Sequence, residues 1–177
     1  MAITKIQSES LNLADTYDFT GTVTGAGESN RPYFLATITG GDQDIGYTGV
    51  YTKITMNNKV FDSDNAYDTS TYRFTPQTAG KYFVHSVLQF EATAGSNQVA
   101  NCRSVIYKNG SYQTGWVIDS DARFQGSANF VGKIIDMNGS TDYLECYAVA
   151  SELNAGSTRV ASGTTSSFFG AYLISTT

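Results

Sequence analysis

The chain is 177 residues long, room for one ordinary domain with a sizeable core and a short arm. Eleven Lys and Arg stand against sixteen Asp and Glu, a net charge of −5 without a basic cluster, which disfavours a nucleic-acid partner. Apolar runs are strand-sized, short of the ~20 residues of a membrane-spanning helix, and Met1–Ile6 holds no apolar signal-peptide core, so neither membrane insertion nor a secretory route is expected.

Charged residues are only 15% of the chain, against roughly 25% in typical soluble domains, while aromatics reach 13% with 12 Tyr. That composition fits a protein that covers part of its surface with further copies of itself. A tyrosine-rich but well-packed monomer is the plainer alternative.

Residues 1–30 read as an arm and a hinge. Two short apolar stretches carry Leu11, Leu13, Tyr17, Phe19 and Val23, with Asp15-Thr16 as a turn between them. Two strands alone are marginal in water, so these side chains need a surface to dock on. An anchoring arm satisfies that need, as does an extra edge hairpin of the main domain. Gly25–Asn30 is a polar, glycine-containing hinge.

Residues 31–177 form the main domain. Pro32–Ile38 is its first strand and Thr48–Met56 its second, with Val50, Thr52 and Ile54 on one side and Asn57-Asn58 as a hairpin turn. Val60-Phe61 leads into a polar turn over Asp62–Asp68. Tyr72–Thr75 alternates around Arg73 and stops at Pro76, which has no N–H for a ladder. Ala79-Gly80 reads as a turn into Lys81–Glu91. In that run Tyr82, Val84, Leu88 and Phe90 fill one alternation set while Phe83 and Val87 lie on the other. Apolar side chains on both faces predict cover on both sides, the core on one and a neighbouring subunit on the other.

Asn101–Lys108 and Tyr112–Ile118 are strands joined by Asn109-Gly110, a strong type I′ hairpin signal. Ala128–Met137 and Asp142–Ala150 read as a further pair through Asn138-Gly139. Ser151–Thr165 reads as a Gly/Ser/Thr loop, and Ser167–Ile174 as the closing strand. Eight to ten strands with frequent turns and no helical period predict an all-β fold, a β-sandwich or jelly roll.

Chemistry is sparse. His85 sits mid-strand with no nucleophile motif beside it, so a structural role is expected and no enzymatic activity. Asp62, Asp64 and Asp68 cluster, but Ala66 and Tyr67 occupy places where a calcium loop needs a ligand and a Gly; a solvated turn with Asx bonds is favoured. Cys102 and Cys146 form no metal or redox motif and read as buried free thiols or a cross-strand disulfide. No metal or cofactor is expected. The loops Glu91–Gln98 and Ser151–Thr165 are the sort of surface where binding resides.

The order Phe61, Tyr67, Phe74, Pro76, Gly80, Tyr82, Val84 resembles the complement one-q globular-head family, relatives of the tumour-necrosis-factor jelly roll. Val105-Ile-Tyr-Lys-Asn-Gly110 and Ser167-Phe-Phe-Gly-Ala-Tyr-Leu173 resemble its strand-and-hairpin stretch and its closing strand. The likeness spans residues 32–175 and implies about ten antiparallel strands in a homotrimer. The sheet with the first, last and Lys81–Glu91 strands would then face the axis, which places Phe83, His85, Val87, Phe169 and Tyr172 at the trimer interface. The chain has no collagen-like Gly-X-Y stalk, so complement and cytokine roles do not carry over.

Residues Ile3–Val23 and the run Phe61–Asp68 are similar to segments of bacteriophage tail-fibre and virion structural proteins. That resemblance implies a virion surface protein held by its N-terminal arm to other virion proteins of tail or capsid. Its expected role is host attachment through a cell-surface glycan or protein, or else capsid decoration; a glycan-degrading activity would need an acidic groove between subunits.

Overall fold

The computed structural model describes residues 31–46, 49–93, 99–152 and 157–176, and within these the side chains at 120–124 and 152 fall outside the description. Strands follow one another without a helix among the described residues: β1 Tyr33–Thr37, β2 Gln43–Gly46, β3 Thr52–Lys53, β4 Asn58–Asp62, β5 Tyr67–Asp68, β6 Arg73–Phe74, β7 Ala79–Ala92, β8 Val99–Lys108, β9 Ser111–Phe124, β10 Gly126–Asn138, β11 Leu144–Glu152, β12 Thr158–Val160 and β13 Phe168–Thr176.

They form two antiparallel sheets. In the first, β7 carries β10 along one edge and β13, then β12, along the other; β1 and β4 continue beyond β13, and β2 beyond β12. In the second, the order runs β5-β6-β11-β8-β9, with β3 also on β11. The core lies between them. Phe34 stacks on Phe74 at 4.2 Å and on Tyr67 at 4.9 Å, and meets Phe169 edge-on at 5.1 Å. The Tyr67 hydroxyl donates to the Met56 carbonyl at 2.9 Å, which is what permits a phenol to be buried there.

Several local expectations hold. Asn109 and Gly110 take φ of 52° and 73°, the left-handed pair a type I′ turn requires between β8 and β9. Asp62 accepts from the Ala66 and Tyr67 amides at 3.1 and 2.9 Å, and Asp68 accepts from the Ser70 amide and hydroxyl and the Thr71 hydroxyl, which hold its carboxyl down at about 2. These carboxylates stabilise their own turn. Cys102 and Cys146 are buried free thiols, each pushed up to about 12 by burial.

Other expectations are corrected. β10 and β11 do not pair: β10 joins β7 in one sheet and β11 joins β8 in the other, so Asn138-Gly139 carries the chain across the sandwich. Likewise β3 and β4 lie in different sheets, and Asn57 bonds Thr39 instead of closing a hairpin. Tyr72 adopts φ of 57° and leaves the ladder, shortening that strand to Arg73–Phe74. Ala79-Gly80 opens β7 directly; a Cβ on Gly80 would come within 2.4 Å of the Ser175 carbonyl oxygen, so the glycine admits β13. Within the expected loop after β11, Thr158–Val160 is a strand, and Val50 is exposed while Ile54 is buried.

Candidate functional site

Strand alternation divides β7 cleanly. Tyr82, Val84, Ser86, Leu88 and Phe90 are fully buried in the core, while Phe83, His85 and Val87 are half-buried on the outward face. The register of the neighbours then assembles rows across that face. Ile134 on β10, Phe83 and Tyr172 on β13 form one row, extended by Tyr33 on β1; Phe130, Val87 and Phe168 form another. Between them runs Gly132, His85, Gly170 and Leu35, with Phe61 on β4 opposite Leu35.

The result is an apolar sheet face open to solvent. Tyr33, Phe61, Phe130, Ile134 and Tyr172 on it are 45–55% exposed. Rings pave it: Tyr33 meets Phe61 at 5.4 Å and Phe83 meets Tyr172 at 5.6 Å. Its ends are charged, with Lys81 bonding Asp136 at 2.5 Å at one end and Arg159 bonding Glu91 at 2.9 Å and Asp42 at 3.2 Å at the other. An apolar centre inside a polar rim is the anatomy of a protein–protein interface.

His85 is built into the middle of this face. Phe83 stacks on it at 5.6 Å and Phe168 meets it edge-on at 6.0 Å. The glycines on both sides make room: a Cβ on Gly132 would lie 3.1 Å from Phe83 Cζ and 2.9 Å from Phe130 Cζ, and one on Gly170 would lie 3.0 Å from His85 Cε1. His85 Nδ1 is shielded and makes no hydrogen bond, and burial lowers the imidazole pKa, so the neutral ring is favoured.

The apolar surface turns the corner of the sandwich. β9 and β10 are edge strands of opposite sheets, and between them lies a cleft of about 530 Å³ lined by Trp116, Ile118, Phe130, Val131 and Gly132. Trp116 is 64% exposed there, the most exposed large apolar side chain among the described residues.

Of the residues expected at an interface, Phe83, His85, Val87 and Tyr172 share this face. Phe169 does not: it points inward and is fully buried against Phe34 and Tyr67, and its neighbour Phe168 is the outward ring. Tyr33, Phe61, Phe130, Ile134 and Trp116 were not anticipated. For β10 the signal was present, because Phe130 and Ile134 on one set and Val131, Ile135 and Met137 on the other repeat the two-sided pattern of β7. Leu11, Leu13, Tyr17, Phe19 and Val23 lie outside the described residues.

No family model matches the sequence, and no curated protein matches it. Solved structures do. An Eiger TNF from S. frugiperda superposes with a TM-score of 0.55 at 9% identity over 83% of this chain and 93% of that one. Murine APRIL at pH 8.0 gives 0.59 at 9% identity over 82% of this chain and all of the other. At such identity the likeness concerns the fold alone: the chain is an all-β jelly roll of the tumour-necrosis-factor type.

Proposed function

We propose that this chain is a non-enzymatic surface protein of a bacteriophage particle, a homotrimeric jelly-roll head held to the virion by residues 1–30 and contributing to attachment to the host surface. The observation that carries the assembly half is the open apolar face around His85 together with the Trp116 cleft. A closed ring of identical copies uses two different patches per protomer, one docking on the other. The face and the cleft supply such a pair. Burying the exposed halves of Tyr33, Phe61, Phe130, Ile134 and Tyr172 would contribute roughly 4–7 kcal/mol per protomer before the cost of ordering. The virion half rests on the resemblance of residues 3–23 and 61–68 to phage structural proteins.

Two measurements test the reading. Light scattering of the full chain at micromolar concentration is expected to give three times 19.1 kDa, and a monomer overturns the assembly. Labelled antibody on intact particles is expected at the tail. Label spread over the capsid would make the protein a decoration protein, and no label would remove it from the virion.

A further inference from the structure

We infer that the outward face of the second sheet is a binding site for carboxylate-bearing sugar chains. This deepens the attachment reading and rests on it, since that reading leaves the ligand unnamed. The face is built by the same alternation as the first, but from different residues. Register sets Glu145, Tyr107 and Tyr112 in one row across β11, β8 and β9, Tyr147, Val105 and Gly115 in the next, and Val149, Arg103 and Val117 in a third. Tyr107 is the hub: its ring centre lies 4.3 Å from Tyr147, 6.1 Å from Tyr112 and 6.2 Å from Tyr51. Gly115 leaves the space that the Tyr112 phenol crosses, with a Cβ there only 2.9 Å from Tyr112 Oη. Tyr51 and Tyr112 are 39% and 49% exposed.

Phenol rings present apolar area to the C–H face of a sugar and a hydroxyl to its polar rim. The hydroxyls of Tyr107, Tyr112 and Tyr147 bond no protein group among the described residues. Charge then selects the sugar. Glu145 is buried beneath Lys53 at 2.6 Å and Arg73 at 2.9 Å, so the cations are what a ligand meets. Arg73 also lies 4.0 Å above the Tyr143 ring. Arg103 bonds Tyr51 Oη at 3.3 Å and pairs with no carboxylate among the described residues, although Asp119 stands one row further along. A guanidinium with spare donors beside aromatic rings suits a carboxylate, which it grips with two parallel bonds. Nucleic acid is the weaker fit for the same rings, because a chain of net charge −5 has few cations to follow a phosphate backbone. The centre of this face, on β8 and β11, lies across the sandwich from the apolar face around His85, and only its β9 edge adjoins the Trp116 cleft; assembly would leave that centre open, and three copies would add avidity to a weak single site.

The test titrates the full-length protein with a short oligogalacturonate, using a neutral maltodextrin of equal length and a single-stranded oligonucleotide as comparisons. The galacturonate is expected to bind most tightly. Arg103→Gln should weaken it about tenfold or more, the scale of a lost charge-assisted hydrogen bond, and Tyr112→Ala should weaken it while Tyr112→Phe retains most of it. Unchanged mass and melting temperature would show that the variants fold. Equal binding of the neutral chain, tighter binding of the oligonucleotide, no binding at all, or variants that bind like wild type would each overturn the inference. Phage carrying Arg103→Gln that adsorb normally, while phage lacking the protein do not, would also overturn it and leave the attachment reading standing. Phage lacking the protein that still adsorb would remove the attachment reading, and the titration alone would then decide for or against the sugar site.

Discussion

Each outward face of this sandwich shields an ionisable side chain, His85 on one and Glu145 on the other, and the two are treated in opposite ways. On the first sheet His85 is walled by Phe83 and Phe168, flanked by two glycines, and left without a hydrogen bond at Nδ1. On the second sheet Glu145 is more deeply buried, yet Lys53 and Arg73 both pair with it. Imidazole can shed its charge near neutral pH and needs no counter-ion, whereas a carboxylate that stays ionised must have one. The first face is therefore suited to hydrocarbon cover and the second to water or a polar ligand. Strand alternation supplied both faces, and composition alone separates them.

The comparison can be broken most forcefully at the seam. Ile134→Asp places a carboxylate in the middle of the proposed interface, where an unpaired buried charge costs about 2–5 kcal/mol. Light scattering should then show monomers, while circular dichroism stays that of a β-protein because Ile134 is half exposed in the single chain. An intact trimer would place the seam elsewhere.

A smaller effect should follow from filling the space beside His85. A Cβ at Gly170 would sit 2.9 Å from the Phe34 carbonyl oxygen and 3.0 Å from both His85 Cε1 and Leu35 Cδ1. Gly170→Ala should therefore destabilise by about 1–3 kcal/mol in urea unfolding. A neutral result would mean that the rings have room to move aside.

On the other face, Glu145→Gln keeps the shape and removes the charge. Lys53 and Arg73 are 28% and 39% exposed and can turn to water, so the loss should be about 1–2 kcal/mol and not the larger cost of a fully buried pair. A stabilised Gln variant would show that the ion pair serves something other than folding.

The mildest effect concerns pH. His85 is the chain's single histidine, and its pKa is lowered by folding. The unfolded chain, titrating near the ordinary value of about 6.5, then binds the proton more readily than the folded one. Stability is complete above that value and falls as pH drops below it, at no more than about 1.4 kcal/mol per pH unit for one proton. His85→Asn should flatten stability between roughly pH 6.5 and 5, above the range where carboxylates titrate; an unchanged slope would assign the effect to other groups.

Much of this was legible in the residues. The long run of β7 carries apolar side chains on both sets, so its central place and its second apolar face could be read directly. The turn at Asn109-Gly110 was equally plain. Phe168-Phe169 was not, because adjacent identical rings give no parity; only the pairing of Phe168 with Val87 fixes which one faces out. The crossing at Asn138-Gly139 was hidden for a related reason: a tight turn signals reversal, but does not say in which sheet the chain resumes. Thr158–Val160 is too short to show a period at all. The tyrosine face escaped notice because its members come from four separate stretches and meet only through register.

Hydroxyl-radical footprinting of the assembled protein tests the contrast between the two faces most directly. Phe130, Ile134 and Tyr172 should be protected while Tyr51 and Tyr112, of similar exposure in the single chain, are oxidised freely. Equal oxidation of both sets would contradict the account.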